Sequence, residues 1–190
     1  MHIDEPIFGR RSVRKYTAQA VDEVTIRRLI DAAVWAPSAI NEQPWDFTVV
    51  RDQELLTRVS RDAKAQMVAA MPADLGVGAR ADHFRTMLQD PSFQIFYHAP
   101  VLLMISASAP GPWIVEDCAL AAENLMLMAH ALGLASCWIG FAQRYLNTAD
   151  GKRALRLPAA CVPVAPIIVG YPGEVPAAVP RNAPRIRWVG

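Results

Sequence analysis

Two apolar runs constrain this chain most. Val101–Ala107 reads VLLMISA, and residues 162–169 read VPVAPIIV. Neither run carries a charge, and neither alternates with polar residues. Runs of this kind suit strands buried inside a domain. Between them lies the longest uncharged stretch, residues 124–143, whose first part falls in a helix expected over 114–132 and closed by Gly133. That stretch is near the length of a membrane span. Gly133, Ser136 and Gly140 interrupt it, however, so it reads as a buried helix followed by a strand over 134–139. At 190 residues the chain suits one domain, and no disulfide or metal is needed to hold it.

The remaining elements follow from local pattern. Ile26, Leu29, Ile30 and Ala33 share one helical face, so a helix is expected over 24–35, with Asp22 as its N-cap. Pro37 ends it. Residues 47–50 form a short β-prone run, and 52–70 read as a helix. Pro72 and Asp74 break the chain before a weaker helix over 79–89. Residues 143–155 read as a further helix. Four prolines between 172 and 184 predict an extended arm from about residue 171. Helices and strands alternate loosely, in a mixed α/β order.

Composition narrows the function classes. Hydrophobic residues make up 53% of the chain and mean hydropathy is +0.16, too apolar for disorder and suited to a large subunit interface. A net charge of +1 gives no basic excess for nucleic acid. The N-terminus, MHIDEPIFGRRSVRKYT, has no apolar core of a signal peptide. No membrane association is expected, and the expected location is cytoplasmic. Cys118, Cys137 and Cys161 are odd in number and widely spaced, so they form neither a disulfide framework nor a zinc site.

Two clusters suit a ligand, while by residue type alone the first also reads as a solvated charged turn and the second as an ordinary loop rich in turn residues. Arg10, Arg11, Ser12, Arg14 and Lys15 place four cations and a hydroxyl within six residues, a receptor suited to phosphate. Ser38, Asn41 and Gln43, between Pro37 and Trp45, offer amide and hydroxyl groups suited to a flat heterocycle with carbonyl and N–H edges. Gly76, Gly78 and Ala81 match the G-x-G-x-x-A dinucleotide pattern, but no strand precedes them and no acidic residue follows at ribose distance, so this is not a Rossmann site. His130 reads as a core residue, and Asp117 and Glu123 are not spaced as a facing pair. Anion and heterocycle binders without an acid–base set suggest that a cofactor supplies the chemistry.

In order along the chain, these residues resemble the FMN-dependent nitroreductases. The resemblance rests on Arg10-Arg11-Ser12-Val13-Arg14-Lys15-Tyr16, on Ala36-Pro37-Ser38 through Asn41, Gln43, Pro44, Trp45 and Phe47, and on His98-Ala99-Pro100. It continues through Asp117, residues 122–125, Gly133-Leu134 and Cys137-Trp138-Ile139-Gly140, and closes on Ile168 to Pro172 with Pro180-Arg181. It implies an α+β three-layer sandwich, with a central, mostly antiparallel sheet flanked by helices, in a domain-swapped homodimer with two FMN sites at the interface. It assigns the FMN phosphate to Arg10, Ser12 and Arg181, with Arg11 as a further candidate. Arg14 falls to the pyrimidine edge, Pro37, Ser38 and Asn41 reach the ring from the other subunit, and Ile139-Gly140 face N5. Arg185 and Arg187 are rivals of Arg181. The implied reaction is ping-pong: NADH or NADPH reduces the flavin, and a nitroaromatic, quinone or related conjugated acceptor reoxidises it. Alternatives are other flavin chemistry (reductive dehalogenation, enone reduction, flavin fragmentation), a non-catalytic flavin-binding protein, or a phosphate-binding module without flavin.

Overall fold

The computed structural model describes residues 2–71 and 79–190. Pro72, Asp74 and the two glycines of the 76–81 motif lie outside them. The described elements run α1 (Asp4–Gly9), α2 (Glu23–Ala33), a 3-10 turn (Ala39–Asn41), β1 (Trp45–Val50), α3 (Gln53–Ala69), α4 (Ala79–Gln89), β2 (Val101–Ala107), α5 (Ile114–Ala131), β3 (Ala135–Trp138), α6 (Gly140–Leu146), α7 (Ala149–Ala154) and β4 (Val162–Gly170).

Local chemistry explains several boundaries. Asp22 caps α2, its Oδ1 accepting the Thr25 N–H at 2.8 Å. Asp52 caps α3 in the same way through Leu55. The helix expected over 143–155 is in fact two, because the Thr148 side chain accepts the Gly151 N–H and starts α7. Gly151 permits this join, since a Cβ there would stand 2.1 Å from the Tyr145 carbonyl oxygen. Helix α1 has no counterpart in the sequence pattern. It packs on α5, where Gly9 lies against His130.

The four strands form one sheet in the order β1-β2-β4-β3, with every neighbouring pair antiparallel. Val101, Leu103, Ile105 and Ala107 of β2 face a core built with α2 and α5. Leu102 and Met104 face a second core built with α3 and α6. Helices therefore cover both faces, which is why β2 is buried along its whole length. The α+β three-layer arrangement implied by the resemblance is the one observed.

Two prolines in the central strand β4 have local reasons. Pro163 lies at a register shift, a position where proline is tolerated. The Pro166 carbonyl points toward β3 and accepts the Ile139 N–H at 2.8 Å, just past the end of β3, so its missing N–H lies beyond the ladder. On the far edge of β3, Ser12 forms a parallel bridge with Ser136, and the Val13 N–H donates to the Ser136 carbonyl at 3.2 Å. The N-terminal segment thus runs along β3 toward Gly140. From Gly173 onward the chain is irregular and exposed.

Candidate functional site

The segment 10–15 carries its side chains in different directions. Arg10 reaches α5, its Nε 3.6 Å from Glu123 Oε1, and that Nε is buried without a hydrogen bond. Arg11 folds back, with Nη1 donating to the carbonyls of Phe8, Gly9 and Arg10 at 2.7–3.1 Å, which closes α1. The Arg14 guanidinium lies over the Tyr97 ring, 5.9 Å from its centroid. Lys15 pairs with exposed Glu174 at 2.9 Å. Two cavities flank the segment. One of about 220 Å³ is lined by Arg10, Arg11, Val13, His130 and Ser136, and one of about 200 Å³ by Ser12, Arg14, Lys15, Glu174 and Pro176. Arg181 belongs to the exposed tail and lines neither of these cavities.

The turn from β3 into α6 supplies a backbone donor. The Ile139 N–H is engaged by Pro166, and the next N–H along the chain is that of Gly140, in the first turn of α6. A Cβ at Gly140 would meet nothing within 4 Å. Packing within the chain therefore does not demand glycine there, and the backbone stands open on that side.

The loop after α2 is strained. Ile40, Asn41 and Gln43 all have positive φ (47°, 59° and 51°), a conformation costly for non-glycine residues and most of all for a β-branched one. Ser38 Oγ accepts the Gln43 N–H at 3.0 Å, and Gln43 Nε2 donates to Asn41 Oδ1 at 3.1 Å. The tether to the body of the fold is Asp117 on α5. Its Oδ1 accepts the Ala39 N–H at 2.9 Å, while its other oxygen is buried without a partner. Pro37, Ser38 and Asn41 line neither cavity beside Arg10–Arg14.

Helix geometry shows why these groups are apart. Asp117 and Glu123 are six residues apart on α5. That is about 9 Å along the axis and about 120° around it. The loop and Arg10 are therefore held on different faces of one helix.

Electrostatics around β3 favour neutral thiols and phenols. Burial pushes the Cys137 thiol up, partly opposed by Arg14, Ser12 and Arg10. Burial also raises Tyr16 strongly and Tyr97 less, with Arg14 opposing in both cases. Burial, with Asp117 beside it, lifts Cys118 to about 12. The cysteines are free and buried. Burial thus disfavours the thiolate at Cys118 and Cys137. Among the described residues no cluster of three or more His, Cys, Asp or Glu could hold a metal, and no helix is long and apolar enough to cross a membrane.

Three residues gain roles that the sequence pattern did not give them. Asp117 anchors the strained loop, and the available signal was a carboxylate within the first turns of an otherwise apolar helix. Tyr97 supports Arg14, with no signal in the sequence. His130, read as a core residue, is only half-buried and lines a cavity.

Comparison with known proteins adds three findings. The model of the nitroreductase family matches residues 7–171. A protein of Methanothermobacter thermautotrophicus, provisionally named a NADH dehydrogenase/NAD(P)H nitroreductase, is 32% identical over 181 residues, covering 93% of this chain and 80% of the relative. The crystal structure of a nitroreductase with bound FMN from Bacteroides fragilis superposes with a TM-score of 0.85 at 26% identity, covering 100% of both chains.

Proposed function

Since the chain belongs to the nitroreductase family, we propose that it is an FMN-dependent oxidoreductase using NADH or NADPH to reduce nitroaromatics, quinones or related conjugated acceptors. The observation that carries this reading is the placement of Arg10, Ser12 and Arg14 along the edge of β3, leading to an open glycine at 140. The residues present fit the cofactor. The Arg10 Nε and Ser136 Oγ are buried donors without partners, and the space beside Gly140 is empty of protein. Bound FMN would supply the two-electron redox chemistry that links the nicotinamide to the acceptor.

The protein's share is binding and electrostatics. Arg10, Ser12 and Arg181 hold the phosphate, charge-assisted bonds being the strong ones. Arg11 contributes charge, its Nη1 being held by the end of α1. Arg14, braced by Tyr97, places a cation at the pyrimidine edge, where it favours the anionic reduced ring. Ile139 fixes the turn through Pro166, and Gly140 gives the close backbone donor. No side chain here is assigned as an acid, base or nucleophile.

Each site is shared between two copies of the chain. Within one chain, α5 holds the Ser38–Asn41 loop and Arg10 on different faces. Large apolar groups stand in water beside both, among them Trp35 at 85%, Ile40 at 96% and Phe8 at 74% exposed. A homodimer covers these groups and brings Pro37, Ser38 and Asn41 of one copy to Arg14 of the other. The test is the ligand itself, released from the purified protein by heat and identified by mass. One FMN per chain is expected, and FAD or no flavin contradicts the reading.

A further inference from the structure

Three side chains on one face of α3, at positions 53, 60 and 64, hold the segment between α4 and β2. Gln53 Nε2 donates to the Ala99 and Pro100 carbonyls at 3.2 and 3.3 Å. Ser60 Oγ, buried, accepts the Ile95 N–H at 3.0 Å. Lys64 Nζ donates to the carbonyls of Asp90 and Phe93 at 2.7 and 2.5 Å. Lys64 is only 8% exposed, and among the described residues no carboxylate lies within 4 Å of its ammonium. Burying a lysine without a counter-charge is costly.

The segment held in this way is strained. Tyr97 and His98 have φ of 52° and 53°, left-handed values uncommon outside glycine. Gln94, also buried, sets the turn: its backbone carbonyl accepts the Tyr97 N–H at 2.9 Å and its Oε1 accepts the His98 N–H at 3.2 Å. What the turn fixes is the Tyr97 ring. That ring meets Phe93 edge-on with centroids 5.8 Å apart, and Phe93 meets Phe141, the residue after Gly140, at 6.4 Å. The Arg14 guanidinium rests over the same ring. Among the described residues no carboxylate lies within 4 Å of Arg14 either, so an aromatic face rather than an ion pair sets where this cation stands.

We infer that Lys64 and Ser60, which line neither cavity beside Arg10–Arg14, are positioning residues for the redox step. Through the strained turn they fix Tyr97, and so hold Arg14 where it raises the reduction potential of the flavin. A cation fixed beside the ring favours the reduced over the oxidised flavin, and loosening it lowers the potential. This rests on the FMN reading and extends it from the site to α3.

The assay is the midpoint potential of protein-bound FMN, from anaerobic spectral titration. The variants are Lys64→Met, Ser60→Ala, Tyr97→Leu and Tyr97→Phe, each made also in an Arg14→Met background. Lys64→Met and Tyr97→Leu should weaken the preference for reduced over oxidised FMN about fivefold, and Ser60→Ala about threefold. Those are falls of about 20 and 14 mV, at about 30 mV per tenfold for a two-electron couple. Tyr97→Phe keeps the ring and should stay within about twofold of wild type. With Arg14 already replaced, all four changes should have effects below about twofold. Affinity for oxidised FMN within about threefold of wild type reports that a variant is folded. Should Lys64→Met fail to load FMN, Ser60→Ala, which removes one oxygen atom, decides by the same criteria. A lowered Tm with an unmoved potential makes the clamp a contact of stability alone. Equal falls with and without Arg14 show that it does not act through that cation. Either result overturns the inference and leaves the FMN reading in place, whereas a wild-type protein that takes up no FMN overturns both.

Discussion

Replacing Asp117 by alanine should release the 38–43 loop without unfolding the protein. Three left-handed residues, Ile40, Asn41 and Gln43, each cost about 1–3 kcal/mol. Two backbone bonds, from Asn41 to Ser38 and from Glu42 to Ala39, and two side-chain bonds within the loop contribute about 0.5–1.5 kcal/mol each. The bond from the Ala39 N–H to the Asp117 carboxylate is the charged one, contributing about 1.5–3 kcal/mol. It is the largest single term opposing the strain. Its loss should speed amide exchange across residues 39–43 by roughly ten- to a hundredfold. Global stability should move less, because the variant also removes a buried oxygen that has no partner. A Tm change within about 5 °C is expected, at roughly 2–4 °C per kcal/mol for this size. Asp117→Asn keeps an acceptor for Ala39 and should stay within a few-fold of wild type. Hydrogen exchange read by mass spectrometry on a peptide spanning the loop decides the matter. Unchanged exchange in Asp117→Ala, or equal acceleration in both variants, refutes the role of Asp117 as the tether.

Other outcomes follow from the same geometry. Arg10→Ala and Arg181→Ala should each weaken FMN binding about tenfold or more, whereas Lys15→Ala, already paired with Glu174, should change it little; equal effects in a fluorescence titration would reduce the cluster to diffuse charge. Cys118→Ser and Cys137→Ser should keep turnover within a few-fold, and a folded, flavin-loaded but inactive variant would bring a thiol into the mechanism. Because Cys118 titrates near 12 in the fold and about 9 when exposed, the folded state holds more protons between those values. Its contribution to stability is therefore full below pH 9 and lost as pH rises toward 12, and thermal melts of Cys118→Ser should show a shallower alkaline decline. Mixing a subunit bearing Arg10→Ala and Arg14→Ala with one bearing Ser38→Ala and Asn41→Ala should restore one working site per heterodimer if sites are shared, and none if they lie within one chain.

Much of the fold was legible because it depends on local pattern. Asp22 announced α2, the uncharged stretch announced α5, and the runs at 101–107 and 162–169 announced the central strands. What escaped depends on contacts distant in sequence. Helix α1 is six residues long, too short to stand without α5. The break between α6 and α7 is visible as Thr148 followed by Gly151, but it needed the close packing of Gly151 on Tyr145 to prevail over helical continuity. The binding clusters could be read from residue type, since arginines and hydroxyls in that density suit an anion. Their distribution over separate faces of α5 could not: the six-residue spacing of Asp117 and Glu123 shows that the two do not face one way, but no local signal says that one holds the loop and the other stands by Arg10. The left-handed residues at 40, 41 and 43 include no glycine to mark them.

The most direct test of the FMN-dependent oxidoreductase reading is an anaerobic visible spectrum of the purified protein. NADH or NADPH is added first, and a nitroaromatic second. The expected course is loss of the yellow flavin band on adding the nicotinamide and its return on adding the acceptor, in stoichiometric amounts. A flavin band that neither nicotinamide bleaches would make the protein a binder rather than an enzyme. A band that bleaches but is not restored by nitroaromatics or quinones would contradict the proposed acceptor class.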